Sequence, residues 1–512
     1  MSRFYVTTPI YYVNDEPHLG HAYTTVLADV LARYHRLMGD ETRFLTGTDE
    51  HGQKVQQAAE KRGISPQQHT DAMSPRFAEV WRRLGISNDF YIRTTMAEHK
   101  AVVRRVLQQL WDEGQIYADD YEGWYDVSEE RFFTEKELVD GQSPLGNPVV
   151  SIKEKNYFFR MGQYQQALID HIEANPGFIV PEKRANEVLG FLRQPLGDLC
   201  ISRPKSRLGW GIALPFDDDY VCYVWFDALL NYYSALSFGF AGDETDAFWP
   251  ADLHLIGKDI LTTHAVYWPT MLMGAGLPLP KTILAHGWWL FGDAGAKMSK
   301  SKGNVVKPLD TMDLYGRDVL RYFLMREMTP GQDSAFSEGL IIERNNAELA
   351  NDIGNGLNRV TKLVETQFEG KLPTGQGYGE AERALKTLAG EVAARVAEEI
   401  ARYHPNGAIG AVRQLSGAVN RYLEEKAPWK AVKQPGGREA TAVTLYHAAE
   451  ALRIVGTLLH PVMPERCGEL LRRLGAAPEP ARFAESLAWG GLTPGAPVCT
   501  GEPLFPRFDP LD

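Results

Sequence analysis

His18-Leu19-Gly20-His21 decides how the N-terminal half is read, because two periodicities meet at it. Before it, Arg3-Phe4-Tyr5-Val6-Thr7-Thr8 is short, aromatic and β-branched, which predicts a strand. Pro9 to Pro17, with Asn14, Asp15 and two prolines, has loop chemistry. After it, Leu19, Ala22, Tyr23, Val26, Leu27, Val30, Leu31 and Tyr34 recur at helical spacing until Gly39 ends the run. The string is therefore expected at a helix N-terminus that directly follows a strand. Backbone N–H groups and the helix dipole stabilise anions at such a place. Gly20 has no Cβ, so a ligand can approach the backbone there. His18 and His21 can donate hydrogen bonds to phosphate oxygens as negative charge builds up.

A second string answers the first. Leu284-Ala285-His286-Gly287-Trp288-Trp289-Leu290-Phe291 reads as one buried strand, and a glycine-rich loop then leads into Lys297-Met298-Ser299-Lys300-Ser301, followed by Lys302. Ammonium groups delivered in this way can neutralise a triphosphate as charge moves to its leaving group. Between the two strings, Leu253-His254-Leu255-Ile256-Gly257-Lys258-Asp259 alternates as a strand that ends in Gly and Asp. Ligands of open α/β sheets bind at the carboxyl ends of strands, where an acidic residue commonly holds ribose hydroxyls. Asp259 has that position, and it can also cap a helix starting near Thr262. Aromatic residues crowd Tyr223-Val224-Trp225-Phe226-Asp227-Ala228-Leu229-Leu230-Asn231-Tyr232 beyond the needs of an ordinary strand and turn. Such rings make directional contacts with a thioether.

The chain has 512 residues, enough for about three domains. Its apolar fraction of 44% and charged fraction of 23% are ordinary for a globular protein. No apolar run is long enough to cross a bilayer and the N-terminus enters a strand directly, so a cytoplasmic location is expected. A formal charge of −12 argues against non-specific nucleic-acid binding; an RNA ligand would need local basic patches such as the Lys297–Lys302 loop. Cys200, Cys222, Cys467 and Cys499 are far apart and form no Cys-x-x-Cys pair for zinc.

The expected fold is α/β: a doubly wound Rossmann-type domain with an inserted connective domain, followed by an all-α helical bundle. The first half of the sheet domain covers residues 1–116, the insertion 117–190, and the second half 191–325, with the sheet resuming near Trp225 and continuing to about Phe323. Residues 326–490 form the helical domain, with breaks at Gly370–Gly379 and Gln434–Gly437, and 491–512 a proline-dense strap. In the first long helix of that domain Leu349, Ile353, Leu357 and Val360 define a buried stripe, and Asn355 and Arg359 share the opposite face. Trp429 follows Pro428 at a helix end, where an indole can stack on an unpaired base.

The two strings, in this order, resemble the paired signature of class I aminoacyl-tRNA synthetases, and the surrounding residues resemble the methionyl-tRNA synthetase family from Phe4 to Pro506. The resemblance implies ATP-dependent ligation of L-methionine to tRNA(Met), initiator and elongator, through methionyl-adenylate, with Mg²⁺ assisting. It implies catalytic roles for His18, His21, Lys297 and Lys300, and an ATP site of His18, Gly20, His21, Gly257, Asp259, His286 and Lys300. The implied methionine site is Ile10, Tyr12, Asp49, Trp225, Ala228, Tyr232, Ile260, His264 and Trp268, with Asp49 taking the α-ammonium group. Leu229 and Thr263 depart from residues that some members carry, which bears on fine selectivity. Asn355, Arg359 and Trp429 match the family's anticodon readers. Many members carry a zinc knuckle in the insertion; the matching stretch from Gly123 to Pro148 lacks cysteines, so a knuckle without structural zinc is expected. A monomer without membrane or DNA partners is expected, as the chain ends without the C-terminal dimerisation domain of some members. The rivals are another class I synthetase, a non-catalytic RNA-binding paralogue and a small-molecule adenylyltransferase. The short span between His21 and Lys297, the intact His and Lys strings and the helical domain weigh against them in turn.

Overall fold

Strand Arg3–Thr7 lies in the middle of a parallel sheet, with Glu41–Asp49 on one side (Val6 opposite Phe44) and Leu253–Gly257 on the other (Val6 opposite Leu253). The computed structural model describes residues 2–126, 131–133, 135–144, 146–291, 296–297 and 306–510. Outward on the first side comes Phe90–Arg93; on the second come Ile283–His286 and then Ile179–Val180. These strands are buried almost continuously, as expected of a sheet covered on both faces. The chain leaves Arg3–Thr7 in one direction and returns at Leu253–Gly257 in the other. The crevice at that reversal, beyond the carboxyl ends of the two strands, is the natural ligand position of a doubly wound sheet.

Helix Leu19–Met38 follows the first strand and ends where Gly39 adopts φ +97, its N–H donating to Arg36 O. The predicted stripe from Leu19 to Tyr34 is buried, and so are Thr24, Thr25, Ala28, Asp29 and Ala32, so the helix is covered on most of its circumference. Part of the cover is the helical domain. The Tyr34 hydroxyl donates to Leu458 O at 2.5 Å, and Tyr34 packs on Phe483.

A buried polar hub joins the same elements. Fully buried Arg321 donates from Nη2 to Asp29 Oδ2 (2.6 Å) and Pro461 O (2.9 Å), from Nε to Val462 O (2.8 Å) and from Nη1 to Leu84 O (3.1 Å). Asp29 also accepts from Arg33 and from the Ser87 N–H and hydroxyl. Burial alone would raise its pKa, but Arg321 and Arg33 hold the carboxyl below its ordinary range.

A four-stranded antiparallel sheet, dominated by the pairing of Ile116–Asp126 with Val149–Phe159, occupies most of the segment assigned to the insertion, but its edge strand Leu199–Cys200 lies beyond residue 190. Helix Gln165–Ala174 follows Val149–Phe159. Strand Ile179–Val180, within the segment assigned to the insertion, pairs with Ile283–Leu284, so insertion and parallel sheet interleave there. Two sequence expectations change. The sheet does not resume at Trp225: the aromatic run forms helices Val224–Leu229 and Asn231–Phe238, and the parallel strand comes at Leu253. Tertiary packing here overrides the β-propensity of Val224 to Phe226. Residues 284–291 form two strands instead of one. Ile283–His286 belongs to the main sheet, whereas Trp289–Phe291 pairs with Ser334–Phe336 and Ala296–Lys297. The break is at Gly287, where a Cβ would stand 1.9 Å from Gln332 O.

From Glu338, capped by the Ser337 hydroxyl, the chain is helical: Glu338–Arg344, a wide π-type stretch Asn345–Gly354, Asn355–Phe368, Glu380–Ala401, Pro405–Lys426 and Gly437–Leu459. Leu349, Ile353, Leu357 and Val360 are buried. The C-terminal tail runs back along the body. Asn345 Nδ2 donates to Pro506 O, Asn346 Nδ2 to Phe508 O, and Phe508 meets Tyr315 edge-on at 5.2 Å.

Candidate active site

The helix that carries His18 and His21 starts at Leu19, and its histidines cap it. His18 Nδ1 accepts the Gly20 N–H at 3.1 Å, and His21 Nδ1 accepts the His18 N–H at 3.3 Å. A nitrogen that accepts carries no proton, so the ring proton of each of these imidazoles sits on Nε2. The two rings stack with centroids 3.6 Å apart. A Cβ on Gly20 would press on His18 Cε1 at 3.1 Å, so glycine here also protects the stacked pair.

Across the crevice, Gly257 and His286 end neighbouring strands. His286 is buried; its Nδ1 donates to Gly287 O at 2.8 Å and its Nε2 accepts from the Thr24 hydroxyl at 2.7 Å. Burial lowers its pKa, so it is neutral at physiological pH. Asp259 Oδ1 accepts the Trp288 indole N–H at 3.1 Å. Trp288 is held in turn by Lys258, 4.0 Å from its ring centroid, and by Asp333, which accepts its backbone N–H at 2.8 Å and the Lys258 ammonium at 2.7 Å. No side-chain cap closes the helical turn after Thr262, so the carboxylate of Asp259 is used by the indole.

These groups surround one cavity of about 560 Å³. Its walls include His18, Gly20, His21, Gly257, Asp259 and His286 together with Ile10, Tyr12, Asp49, Trp225, Ala228, Tyr232, Ile260 and His264. Residues from positions 10 to 286 thus meet in a space of the size that holds small-molecule ligands. The Tyr232 hydroxyl donates to His264 Nε2 at 2.8 Å, while His264 Nδ1 donates to Ile260 O at 3.0 Å. Burial pushes the His264 pKa down to about 4, so this imidazole is neutral. Trp225 stands edge-on to both Tyr12 and His264, 6.2 and 6.0 Å away. Trp268 does not line the cavity. It is fully buried and packs on Tyr232, its indole N–H donating to His254 Nε2 at 3.2 Å.

Lys300 and the Lys297 side chain lie outside the described residues; the Lys297 backbone pairs with Leu290. Asn355, Arg359 and Trp429 are on the helical domain, away from this cavity. Arg359 lies over the Trp429 ring at 5.6 Å and reaches Glu424 at 3.5 Å, and all three residues are half-buried. Ala427, at φ +40, turns the chain into the short helix Pro428–Ala431 that presents Trp429.

Several residues of the site escaped the sequence reading. Asn231 lines the cavity, and Lys54 sits over the Tyr12 ring at 5.0 Å. Behind the wall, Asp227 accepts from His51 Nδ1 at 2.6 Å and His99 Nε2 at 2.8 Å. Burial would raise the Asp227 pKa, but the two imidazoles bring it down to about 2. This clamp fixes the helix that carries Trp225 and Ala228. Among the described residues no group of three or more His, Cys, Asp or Glu side chains could hold a metal ion. The four cysteines form no disulfide; Cys499 is exposed and the others are buried. No described helix is long and apolar enough to cross a membrane.

Comparison with known proteins adds an independent line. Residues 4–148 and 136–361 match the family of class I tRNA synthetases (M), and residues 372–509 match the anticodon-binding domain of methionyl tRNA ligase. The chain is 44% identical to the methionine–tRNA ligases of Bacillus subtilis and of Caldanaerobacter subterraneus, covering 99% of this chain and 78% and 79% of theirs. A solved structure of Mycobacterium tuberculosis methionyl-tRNA synthetase in complex with methionyl-adenylate superposes with a TM-score of 0.94 at 41% identity, over 99% of this chain and all of that one. The free-state structure from the same organism gives 0.87 at 38% identity, covering 100% of this chain and 99% of that one. Sequence, fold and cavity agree: this chain belongs to the methionyl-tRNA synthetases, a branch of the class I aminoacyl-tRNA synthetases.

Proposed function

We propose that the 560 Å³ cavity forms methionyl-adenylate from L-methionine and ATP, and that the same chain then transfers the methionyl group to tRNA(Met), initiator and elongator alike. The observation that carries this reading is the meeting of a histidine-capped helix terminus with a wall of aromatic side chains in one cavity. Asp49 takes the substrate α-ammonium group, and Tyr12, Trp225, Tyr232 and His264 enclose the side chain. The methionine carboxylate attacks the α-phosphorus of ATP and diphosphate leaves. His18 and His21 donate from Nε2 to phosphate oxygens, Asp259 holds the ribose beside Gly257 and His286, and Lys300, helped by Lys297, neutralises the departing diphosphate. The 2′- or 3′-hydroxyl of the terminal adenosine then attacks the acyl carbon and AMP leaves.

A magnesium ion suits this site without a dedicated cage, because Mg²⁺ commonly takes one or two carboxylates and otherwise substrate phosphates. Asp259 is the carboxylate beside the ribose position, and the ion when bound offsets phosphate charge. Asn355, Arg359 and Trp429 read the anticodon by amide and guanidinium hydrogen bonds and by stacking. The enzyme works as a cytoplasmic monomer. Diphosphate exchange into ATP, measured with each of the twenty amino acids in turn, tests the reading. Exchange with methionine alone is expected; strong exchange with another amino acid, or with none, refutes it.

A further inference from the structure

Asp259 is held in place from outside the cavity. Its Oδ1 accepts the Trp288 indole N–H at 3.1 Å and lies against Gly257, where a Cβ would stand 2.5 Å from the same oxygen. Trp288 is in turn fixed from three directions. Its backbone N–H donates to Asp333 Oδ1 at 2.8 Å, its carbonyl accepts the Ser334 N–H at 3.0 Å, and the Lys258 ammonium lies 4.0 Å from its ring centroid. The same ammonium donates to both Asp333 oxygens, at 2.7 and 2.8 Å. We propose that Asp333 is a positioning residue for the nucleotide: through Lys258 and Trp288 it aims the Asp259 carboxylate at the ribose hydroxyls of ATP. The proposal rests on the ribose-binding role of Asp259 given above.

Three segments distant in sequence build this arrangement. Lys258 and Asp259 follow strand Leu253–Gly257, and Trp288 lies between strands Ile283–His286 and Trp289–Phe291. Asp333 follows the turn in which the Gln332 N–H donates to Thr329 O at 3.0 Å. Burial would raise the Asp333 pKa, but Lys258 and the Trp288 N–H bring it below the ordinary carboxylate range, so it is an anion at neutral pH. Gly257, Asp259 and Trp288 line the cavity, whereas Lys258 and Asp333 do not. A partly exposed ion pair such as Lys258–Asp333 adds little to stability. A stabilising role therefore does not explain why both partners converge on an indole of the cavity wall.

The chemistry of a carboxylate supplies the reason. Its terminal torsion is broad and roughly two-fold, so an unrestrained Asp259 would turn about its last bond. Hydrogen bonds to an ionised acceptor are strong and directional, and they reward a group already aimed. With Oδ1 engaged by the indole, Oδ2 receives a ribose hydroxyl. A nucleotide without those hydroxyls gains nothing from the restraint, and the test turns on that difference.

Methionine-dependent diphosphate exchange is measured with ATP and with 2′,3′-dideoxy-ATP, which lacks both ribose hydroxyls. Trp288→Phe keeps a ring and removes the indole N–H. Asp333→Ala removes the acceptor of the Trp288 backbone and the partner of Lys258, while Asp333→Asn keeps an acceptor. In Trp288→Phe and Asp333→Ala, kcat/KM for ATP should fall about tenfold, chiefly through KM, as for one misdirected hydrogen bond to a charged group. The KM for methionine and kcat/KM for dideoxy-ATP should stay within about twofold of wild type. Asp333→Asn should recover most of the loss, and in an Asp259→Ala background Trp288→Phe should cost nothing further. Trp288→Phe decides alone if Asp333→Ala does not fold. Equal losses with both nucleotides, a further loss in the Asp259→Ala background, or unchanged use of ATP overturns the proposal. A wild-type enzyme that uses ATP and dideoxy-ATP equally well would sink the ribose role of Asp259 and the proposal with it, a result read on the unaltered protein and so distinct from the others.

Discussion

Replacing Arg321 with methionine removes the guanidinium that binds helix Leu19–Met38 to the helical domain while keeping the apolar stem. Four acceptors lose a donor: Asp29 Oδ2 and the carbonyls of Leu84, Pro461 and Val462. Removing one partner of a buried ion pair costs about 3–5 kcal/mol. Asp29 keeps Arg33 and Ser87, which favours the lower part of that range. Each carbonyl left without a donor adds about 1–3 kcal/mol before relaxation. The terms share one site and do not add fully, so the expected loss is about 5 kcal/mol. Arg321→Lys should lose less, about 2–3 kcal/mol, because an ammonium keeps the charge but cannot span four acceptors in one plane. Urea denaturation followed by tryptophan fluorescence gives the stability, and diphosphate exchange along the same titration follows the active site. In Arg321→Met the two curves should separate, as the helical domain lets go before the sheet unfolds. A methionine variant within about 1 kcal/mol of wild type, with coincident curves, would refute the assignment of Arg321 as the joint.

Other perturbations test other parts. Neutral His264, with a pKa of about 4 in the fold against 6.5 in the open chain, takes up its proton more readily when unfolded. Stability should therefore fall by about 3 kcal/mol as pH drops from 6.5 to 4. The opposite case, Asp227 at about 2, holds its contribution above pH 3.8 and loses it as pH falls towards 2; calorimetry of wild type and His264→Asn at several pH values separates the two. Trp429→Ala should leave diphosphate exchange intact and lower kcat/KM for tRNA by roughly 10- to 100-fold, the worth of one stacked base. Gly287→Ala should abolish ATP binding in a soluble protein or prevent folding, since its Cβ meets the Gln332 backbone at 1.9 Å; binding at wild-type affinity would contradict that packing. Lys300→Ala should slow adenylate formation by about a hundredfold, read as diphosphate exchange; a rate near wild type would remove Lys300 from the mechanism.

Local pattern was legible where one element decides its own outcome. The helix after Thr8 could be read from its apolar spacing and from Gly39, and the histidine string was correctly expected at its start. Reading failed where distant segments decide. Residues 284–291 look like one strand, because the carbonyl of Gln332 that crowds Gly287 is not visible in their own composition. Val224 to Phe226 have strand-forming side chains, yet the buried clamp at Asp227 holds them as a helix. His51 and His99 lie 176 and 128 residues from Asp227, so no spacing rule could join them. Lys54 and Asn231 carry no motif of their own and are visible only as walls of a formed cavity. Trp268, matched to the methionine pocket by family likeness, packs on Tyr232 with ring centroids 6.0 Å apart and is not among the residues lining the cavity.

The near-complete burial of helix Leu19–Met38 has a consequence for synthesis on the ribosome. The hydroxyl of Tyr34 finds its acceptor at Leu458, 424 residues later in the chain. At about 5–20 residues per second, that acceptor emerges roughly 20–85 s after the tyrosine. For that interval the helix that begins at the two histidines keeps an apolar flank turned to water, a target for chaperones until the last third of the polypeptide arrives.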